Sequence, residues 1–368
     1  MKPKPILRCW AEIDHRALRD NLSFIRKQIP PTTEVMGMVK ANAYGHCSVA
    51  VAKTLRKEGV RWFGVASLAE ALSLKEHGVQ GKILILGAAL IEEYPQIIRH
   101  QLIATISNFQ EGKRLNEIAK RQRLKGIVHF KIDTGMGRLG GWWEVAEQEL
   151  LQLSKLSHLE IGGIYTHFAS ADSDDAMTRE QIKRFLNYRS WFEKRMVHAS
   201  NSAGLLGKQS LSFDCIRPGI SLYGYAPLQK EQKHLKPVLS WKTRVTAIHR
   251  VKKGRTLSYG GTYRVTKDSM IAVLAVGYAD GYPRLLSNQG SVLIQGKRVP
   301  IRGRVTMDQI LVDVTSIGKV SLGEEVILIG GSGKNQLLAS ELAEKTGTIS
   351  YEILCGISDR VLRIHRHA

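Results

Sequence analysis

The chain has 368 residues, of which 43% are hydrophobic and 24% charged, an ordinary globular balance that excludes disordered, collagen-like and fibrous proteins. No run approaches the ~20 apolar residues of a membrane span, and the basic start MKPKPILRCWAEIDH has no apolar stretch behind it, so a cytoplasmic protein with no membrane contact is expected. The 54 Lys+Arg against 33 Asp+Glu leave a formal net charge of +21, but the basic residues are scattered and no nucleic-acid motif accompanies them, which points to an anionic small molecule and away from nucleic acid.

The length implies a large domain plus a smaller one. Asp14 is placed to cap a helix carrying Ala17, Leu18, Leu22, Ile25 and Ile29 at near-helical spacing, ended by Pro30-Pro31. Eight β-branched or apolar runs follow, at 35–40, 62–67, 82–87, 103–107, 128–134, 162–167, 195–202 and 215–220. Amphipathic stretches such as VAVAKTLRKEG, SLAEALSLKEHG and NEIAKRQRLKG separate them, each ending in a Gly suited to helix termination. Continuous apolar runs alternating with helices predict parallel strands buried on both faces, and eight βα units predict an α/β eight-stranded (β/α)8 TIM-like barrel over residues 13–235; an open doubly wound sheet is the rival. The polar segment 229–237 is the expected linker. From about Ser240 short alternating runs and turns predict an all-β C-terminal domain over 236–368, interrupted by one helix over 336–345, with residues 1–12 packing on it.

In such a barrel the reactive groups stand at the C-terminal ends of the strands. The first strand ends in Lys40, with Tyr44 four residues on. A strand-end lysine is either simply solvated or, when partly removed from water, able to bond a carbonyl covalently. The fifth strand, VHFKIDTGMGRLG, puts His129, Lys131 and Asp133 on one face; on residues alone a Lys131–Asp133 ion pair is favoured over a carbamate facing Arg138. The glycines 135, 137 and 140 match GxGxxG by chance, since an Arg is not expected inside a dinucleotide fingerprint, and GGSGKN at 330–335 lacks the parts of a P-loop. Strands six, seven and eight end in His167, Asn201-Ser202 and Arg217-Pro218-Gly219-Ile220. His129, His167 and His198 lack the companion histidines of a metal hydrolase, so no metal is expected. Cys9, Cys47, Cys215 and Cys355 lie far apart with no CxxC, and reduced thiols are expected.

Six segments, VKANAYGH at 39–46, FKIDTGMGRLG at 130–140, HASNSAG at 198–204, RPGISLYG at 217–224, LSYGGTY at 257–263 and GRVTMDQ at 303–309, together resemble the alanine racemase family from about Ile13 onward. The resemblance implies a pyridoxal 5′-phosphate isomerase that interconverts L- and D-alanine and supplies D-alanine for peptidoglycan. It implies that Lys40 holds the cofactor covalently and shares two-base catalysis with Tyr259, since racemisation removes a proton from one face and returns it to the other. It implies that Arg217 donates to the pyridine nitrogen, that His198 orients it, that His167 and Arg217 supply the network that stabilises the Tyr259 phenolate, and that Asn201 supports the site. Tyr44, Ser202, Gly219, Ile220 and Tyr351 correspond to the phosphate contacts, Arg138 and Met307 to the substrate carboxylate contacts, and Lys131 to a lysine often carbamylated. A homodimer whose sites are shared between subunits is also implied, with Tyr259 and Met307 coming from the partner. Cys47 departs from the family's Gly, which is acceptable if its φ is negative, and Thr306 stands where a Cys is frequent. The competing readings are a related amino-acid decarboxylase, a racemase of broader specificity, and a non-enzymatic carrier of pyridoxal phosphate.

Overall fold

The computed structural model describes residues 7–208, 211–332 and 335–368. Leu18–Ala43 with Cys47–Lys236 form one compact unit; the described residues up to Ala17, Tyr44–His46 and Pro237–Ala368 form another.

The chain opens with β1 (Cys9–Asp14) and α1 (His15–Arg26), and Asp14 Oδ1 caps the helix by accepting from the N–H groups of Arg16 at 2.8 Å and Ala17 at 3.3 Å. Eight parallel strands then close on themselves: β2 (Glu34–Met38), β3 (Trp62–Val65), β4 (Lys82–Ala88), β5 (Ile103–Ile106), β6 (Gly126–Asp133), β7 (Leu159–Tyr165), β8 (Met196–Asn201) and β9 (Cys215–Arg217). Each pairs with the next, and β9 returns to β2 through Cys215 opposite Glu34 and Ile216 opposite Val35. The sheet is therefore a barrel, and the open-sheet alternative is excluded. Val35, Met36, Phe63, Ile85, Phe130 and Ile164 are buried along it, as strands covered on both faces require. Helices α2 (Ser48–Lys57), α3 (Leu68–Glu76) and α5 (Phe109–Gln122), with α4 (Tyr94–Arg99) between, fill the intervals. Gly59 and Gly78 follow α2 and α3 with φ of 82° and 73°, the left-handed conformation glycine adopts at little cost. The third helix does not run to its expected Gly: Arg123, at φ 56°, ends it, and Gly126 begins β6.

The segment expected to be a linker is anchored. Its 3-10 turn Gln229–His234 is followed by Lys236, whose N–H and C=O both bond the side chain of Asn21 at 2.8 Å. In the second unit β10 (Leu239–Val251) is the spine. It pairs antiparallel with β1, with β11 (Ser269–Leu274) and with β15 (Glu325–Ser332), while β12 (Ser291–Ile294), β13 (Lys297–Pro300) and β14 (Ile310–Asp313) extend the sheet. β1 lies between β10 and the parallel closing strand Leu362–Arg366, with Trp10 and Trp241 buried beside it. Of the N-terminal residues expected on this unit, 1–6 lie outside the described residues, as do 333–334 of the GGSGKN segment. The helix expected over 336–345 starts later, after the short strand Asn335–Leu337, as Ala339–Thr346, and a second helix, Ser350–Cys355, follows it.

Candidate active site

The residues after the barrel strands converge on Arg217, the last residue of β9. Its guanidinium is 3% exposed and has no acidic partner among the described residues. Instead Nη1 donates to His198 Nδ1 at 2.7 Å, and Nη2 to the carbonyls of Thr166 and Ala199, both at 2.8 Å, and to His167 Nδ1 at 3.1 Å. Burial pulls Arg217 down to about 10, still a cation at neutral pH. Because arginine only donates, both histidines accept through Nδ1 and carry their hydrogens on Nε2. Burial first and the Arg217 charge second hold both well below the usual imidazole range, so both are neutral. The 3.5 Å between Asn201 Nδ2 and His167 Nε2 then faces donor to donor; Asn201 instead caps the turn Ser202–Leu206 by accepting from Gly204 N–H at 2.9 Å.

A tyrosine that the sequence did not single out forms the floor. Tyr165 stacks on His198 with ring centroids 4.5 Å apart, lies 5.2 Å from Arg217 Cζ and 5.9 Å from Lys131 Nζ, and bonds Thr105 at 2.8 Å. Strand alternation two residues before His167 was the signal for it.

Lys131 is buried, and burial followed by the charges of Arg138 and Arg217 pulls its amine down to about 8. The ion pair with Asp133 is not formed. Asp133 accepts from the backbone N–H groups of Gly135, Met136 and Gly137 through Oδ1 and of Arg138 through Oδ2, at 2.8–3.1 Å, and these bonds hold its carboxyl below the usual range despite burial. The three glycines therefore shape a carboxylate-capped loop that runs into Gly141–Trp142 and opens no helix. Arg138 leaves this loop with its side chain exposed.

Lys40 follows β2 and is half-buried. Ala41, Asn42, Ala43 and Tyr44 then all take φ between 51° and 56°, one turn of left-handed helix, at about 1–2 kcal/mol per residue. Cys47 has φ 75°, so the negative φ that would make this departure harmless is absent and the position is one where Gly fits better. In the second unit Tyr44 is buried against Tyr351 with centroids 5.8 Å apart, and burial pushes its phenol up. After the last two barrel strands, Ser202 Oγ accepts from the N–H groups of Gly219 at 2.9 Å and Ser221 at 3.3 Å, while the buried Ile220 N–H has no acceptor among the described residues. The loops after strands seven and eight are where (β/α)8 barrels hold phosphate.

Tyr259 is 72% exposed. Its turn depends on Ser258 at φ 61° and on Gly260 and Gly261 at 71° and 54°, with Ser258 Oγ tied to Arg304 C=O at 2.8 Å. Tyr259 and the exposed Met307 line one cavity of about 680 Å³. The Met307 N–H has no acceptor among the described residues. Thr306 closes the adjoining turn, donating through Oγ1 to Gln309 C=O at 2.7 Å.

The sequence matches the model of the alanine racemase N-terminal domain over residues 13–227 and that of the C-terminal domain over 238–365. The chain belongs to the alanine racemase family. It is 42% identical to an alanine racemase of Methylacidiphilum infernorum, covering 98% of this chain and 93% of that one. An alanine racemase structure from Clostridium difficile 630 superposes with TM-score 0.93 at 36% identity, covering 99% and 97% of the two chains. The Bartonella henselae alanine racemase, whose structure has covalently bound pyridoxal phosphate, does so with TM-score 0.90 at 29% identity, covering 98% and 100%. No group of three or more metal-ligating side chains, and no helix long and apolar enough to cross a membrane, occurs among the described residues. His365, in the closing strand, pairs with His15 at 2.8 Å.

Proposed function

We propose that the chain racemises alanine on pyridoxal 5′-phosphate in the cytoplasm, as a homodimer in which Lys40 and the partner subunit's Tyr259 act on opposite faces of the substrate. The observation that carries the reading is the Arg217 cluster: a buried cation among neutral acceptors, with N–H groups on Nε and Nη1 left to donate. That donor set fits an unprotonated pyridine nitrogen, and a ring kept unprotonated is a restrained electron sink that favours return of the proton over decarboxylation. When bound, the cofactor withdraws electrons from the alanine Cα and makes its proton removable.

The remaining work falls to the protein. Lys40 Nζ holds the cofactor and moves the Cα proton on one face; the Tyr259 phenol moves it on the other. His167 donates through Nε2 toward the phenol oxygen. Ser202, Gly219, Ile220, Tyr44 and Tyr351 hold the phosphate, with the Ile220 N–H supplying an unused donor. Arg138 and the Met307 N–H hold the substrate carboxylate. Lys131, with its amine near 8, supplies the neutral nitrogen that carbamate formation needs, and the resulting anion would orient Arg138.

The test follows the optical rotation of L-alanine with added pyridoxal phosphate. Decay to zero rotation with no carbon dioxide is the expected result; carbon dioxide release would establish the decarboxylase, and a bound cofactor with constant rotation the carrier. The shared site is tested by mixing Lys40→Ala with Tyr259→Phe. Exchanged subunits should regain activity, because one site of each hybrid keeps both groups, and continued inactivity after verified exchange overturns the shared site.

A further inference from the structure

The opposite mouth of the barrel, at the N-terminal ends of the strands, encloses a second cavity of about 690 Å³. Trp62, Lys82, Ile103, Gly126 and Met196, the first residues of β3, β4, β5, β6 and β8, contribute to its wall. Its charged lining is Lys75, Lys82, Lys125 and Lys194 against the single acid Glu160. Glu160 is spoken for by Lys125 at 3.2 Å, and Lys194 has Glu193 at 3.9 Å. Lys75 and Lys82 have no acidic partner among the described residues. Lys82 Nζ lies 4.8 Å from the Trp62 ring centroid, and the His129 ring also neighbours it, centroids 5.6 Å apart.

His129 also lines the cavity, and its protonation is dictated from the active-site side. Arg217 donates to His198 Nδ1, so His198 Nε2 carries a hydrogen and donates to His129 Nδ1 at 2.8 Å. His129 is fully buried, and burial, reinforced by the Lys82 and Arg217 charges, drives it down to about 3. The neutral ring therefore keeps its hydrogen on Nε2, and this buried donor has no acceptor. Gly163 is what admits the ring, since a Cβ there would stand 2.6 Å from His129 Cε1. A buried polar hydrogen left unmatched is rare in native proteins and calls for an acceptor.

We propose that this cavity binds a small organic carboxylate, its oxygen taking the His129 Nε2 hydrogen, its charge beside Lys82 and its apolar body against Ile98, Leu102 and Ile127. The lining favours a carboxylate over inorganic phosphate, because Ile98, Leu102, Ile103 and Ile127 offer an organic body apolar contact that phosphate cannot use. A water molecule is the competing acceptor and requires two to four polar partners, but only an organic carboxylate also uses the aliphatic part of the wall.

Calorimetric titration of the cofactor-loaded protein with benzoate, with alanine in excess to occupy the substrate position, tests this. Saturable binding at one site is expected, weakened about tenfold in Lys82→Ala and restored in Lys82→Arg, with benzylamine not binding and the racemisation rate of Lys82→Ala unchanged. The His129 Nε2–H proton resonance should shift as benzoate saturates. Absence of saturable heat, equal affinity in the wild type and Lys82→Ala, or a resonance that stays put while heat saturates overturns the proposal and leaves a buried water as the acceptor.

Discussion

Arg217 and Tyr259 are held in place by opposite means. Arg217 is 3% exposed and is held by two backbone carbonyls and two imidazole nitrogens that accept from it. Tyr259 is 72% exposed and is positioned by backbone, through a serine and two glycines at positive φ. A group fixed by burial carries the fold's stability along with its chemistry, whereas a group presented on a strained turn carries chemistry alone. Changes at the two positions should therefore separate activity from stability.

The largest effect expected is on rate. Tyr259→Phe should slow racemisation about 10²–10⁴-fold, the usual worth of a general acid or base, and the two directions unequally, with the melting temperature unmoved. A melting temperature that falls would show that the phenol is structural and the contrast false. Arg217→Gln should do what Tyr259→Phe does not, lowering unfolding free energy by about 3 kcal/mol, because the Thr166 and Ala199 carbonyls and His198 Nδ1 lose their donor in a buried site. Urea denaturation checks this, and a loss below about 1 kcal/mol would mean that the cluster is looser than its distances imply.

Lys131 sharpens the comparison with pH. Its amine loses a proton near 8 when folded against 10.5 for a free lysine, so the unfolded chain binds more protons between those values and stability should climb with pH across that window. The Lys131→Met variant should lack the climb. Carbon dioxide uptake needs the neutral amine, so the carbamate carbon signal from labelled bicarbonate should grow as pH rises through about 8 and be missing in the variant. The smallest effect belongs to Cys47, at φ 75°. Cys47→Gly should stabilise the protein by about 1 kcal/mol, read as a higher urea midpoint at unchanged activity.

The barrel was legible because each buried strand is a short apolar run, and burial on both faces leaves no polar residue to blur it. Boundaries shifted by a few residues: β2 stops at Met38 where the sequence suggested Lys40, and β7 at Tyr165 where it suggested His167. Local sequence could not show that Cys9–Asp14 runs between strands more than 220 residues away, since pairing of that kind leaves no short-range mark. Charge complementarity misled at Asp133, where a loop of glycines offers four backbone hydrogens and outbids the neighbouring amine. The motif residues were found because their chemistry is specific; Tyr165, working as a flat surface under two cations, carries no motif of its own.

The reversed coil after Lys40 sets which accidents the chain can survive. Successive side chains there spiral in the sense contrary to every other helix of the barrel, so relaxation of those four residues to the common hand would carry Tyr44 to another bearing while scarcely disturbing the amine at the coil's origin. Damage to this stretch should therefore spare the nucleophile and misdirect the tyrosine.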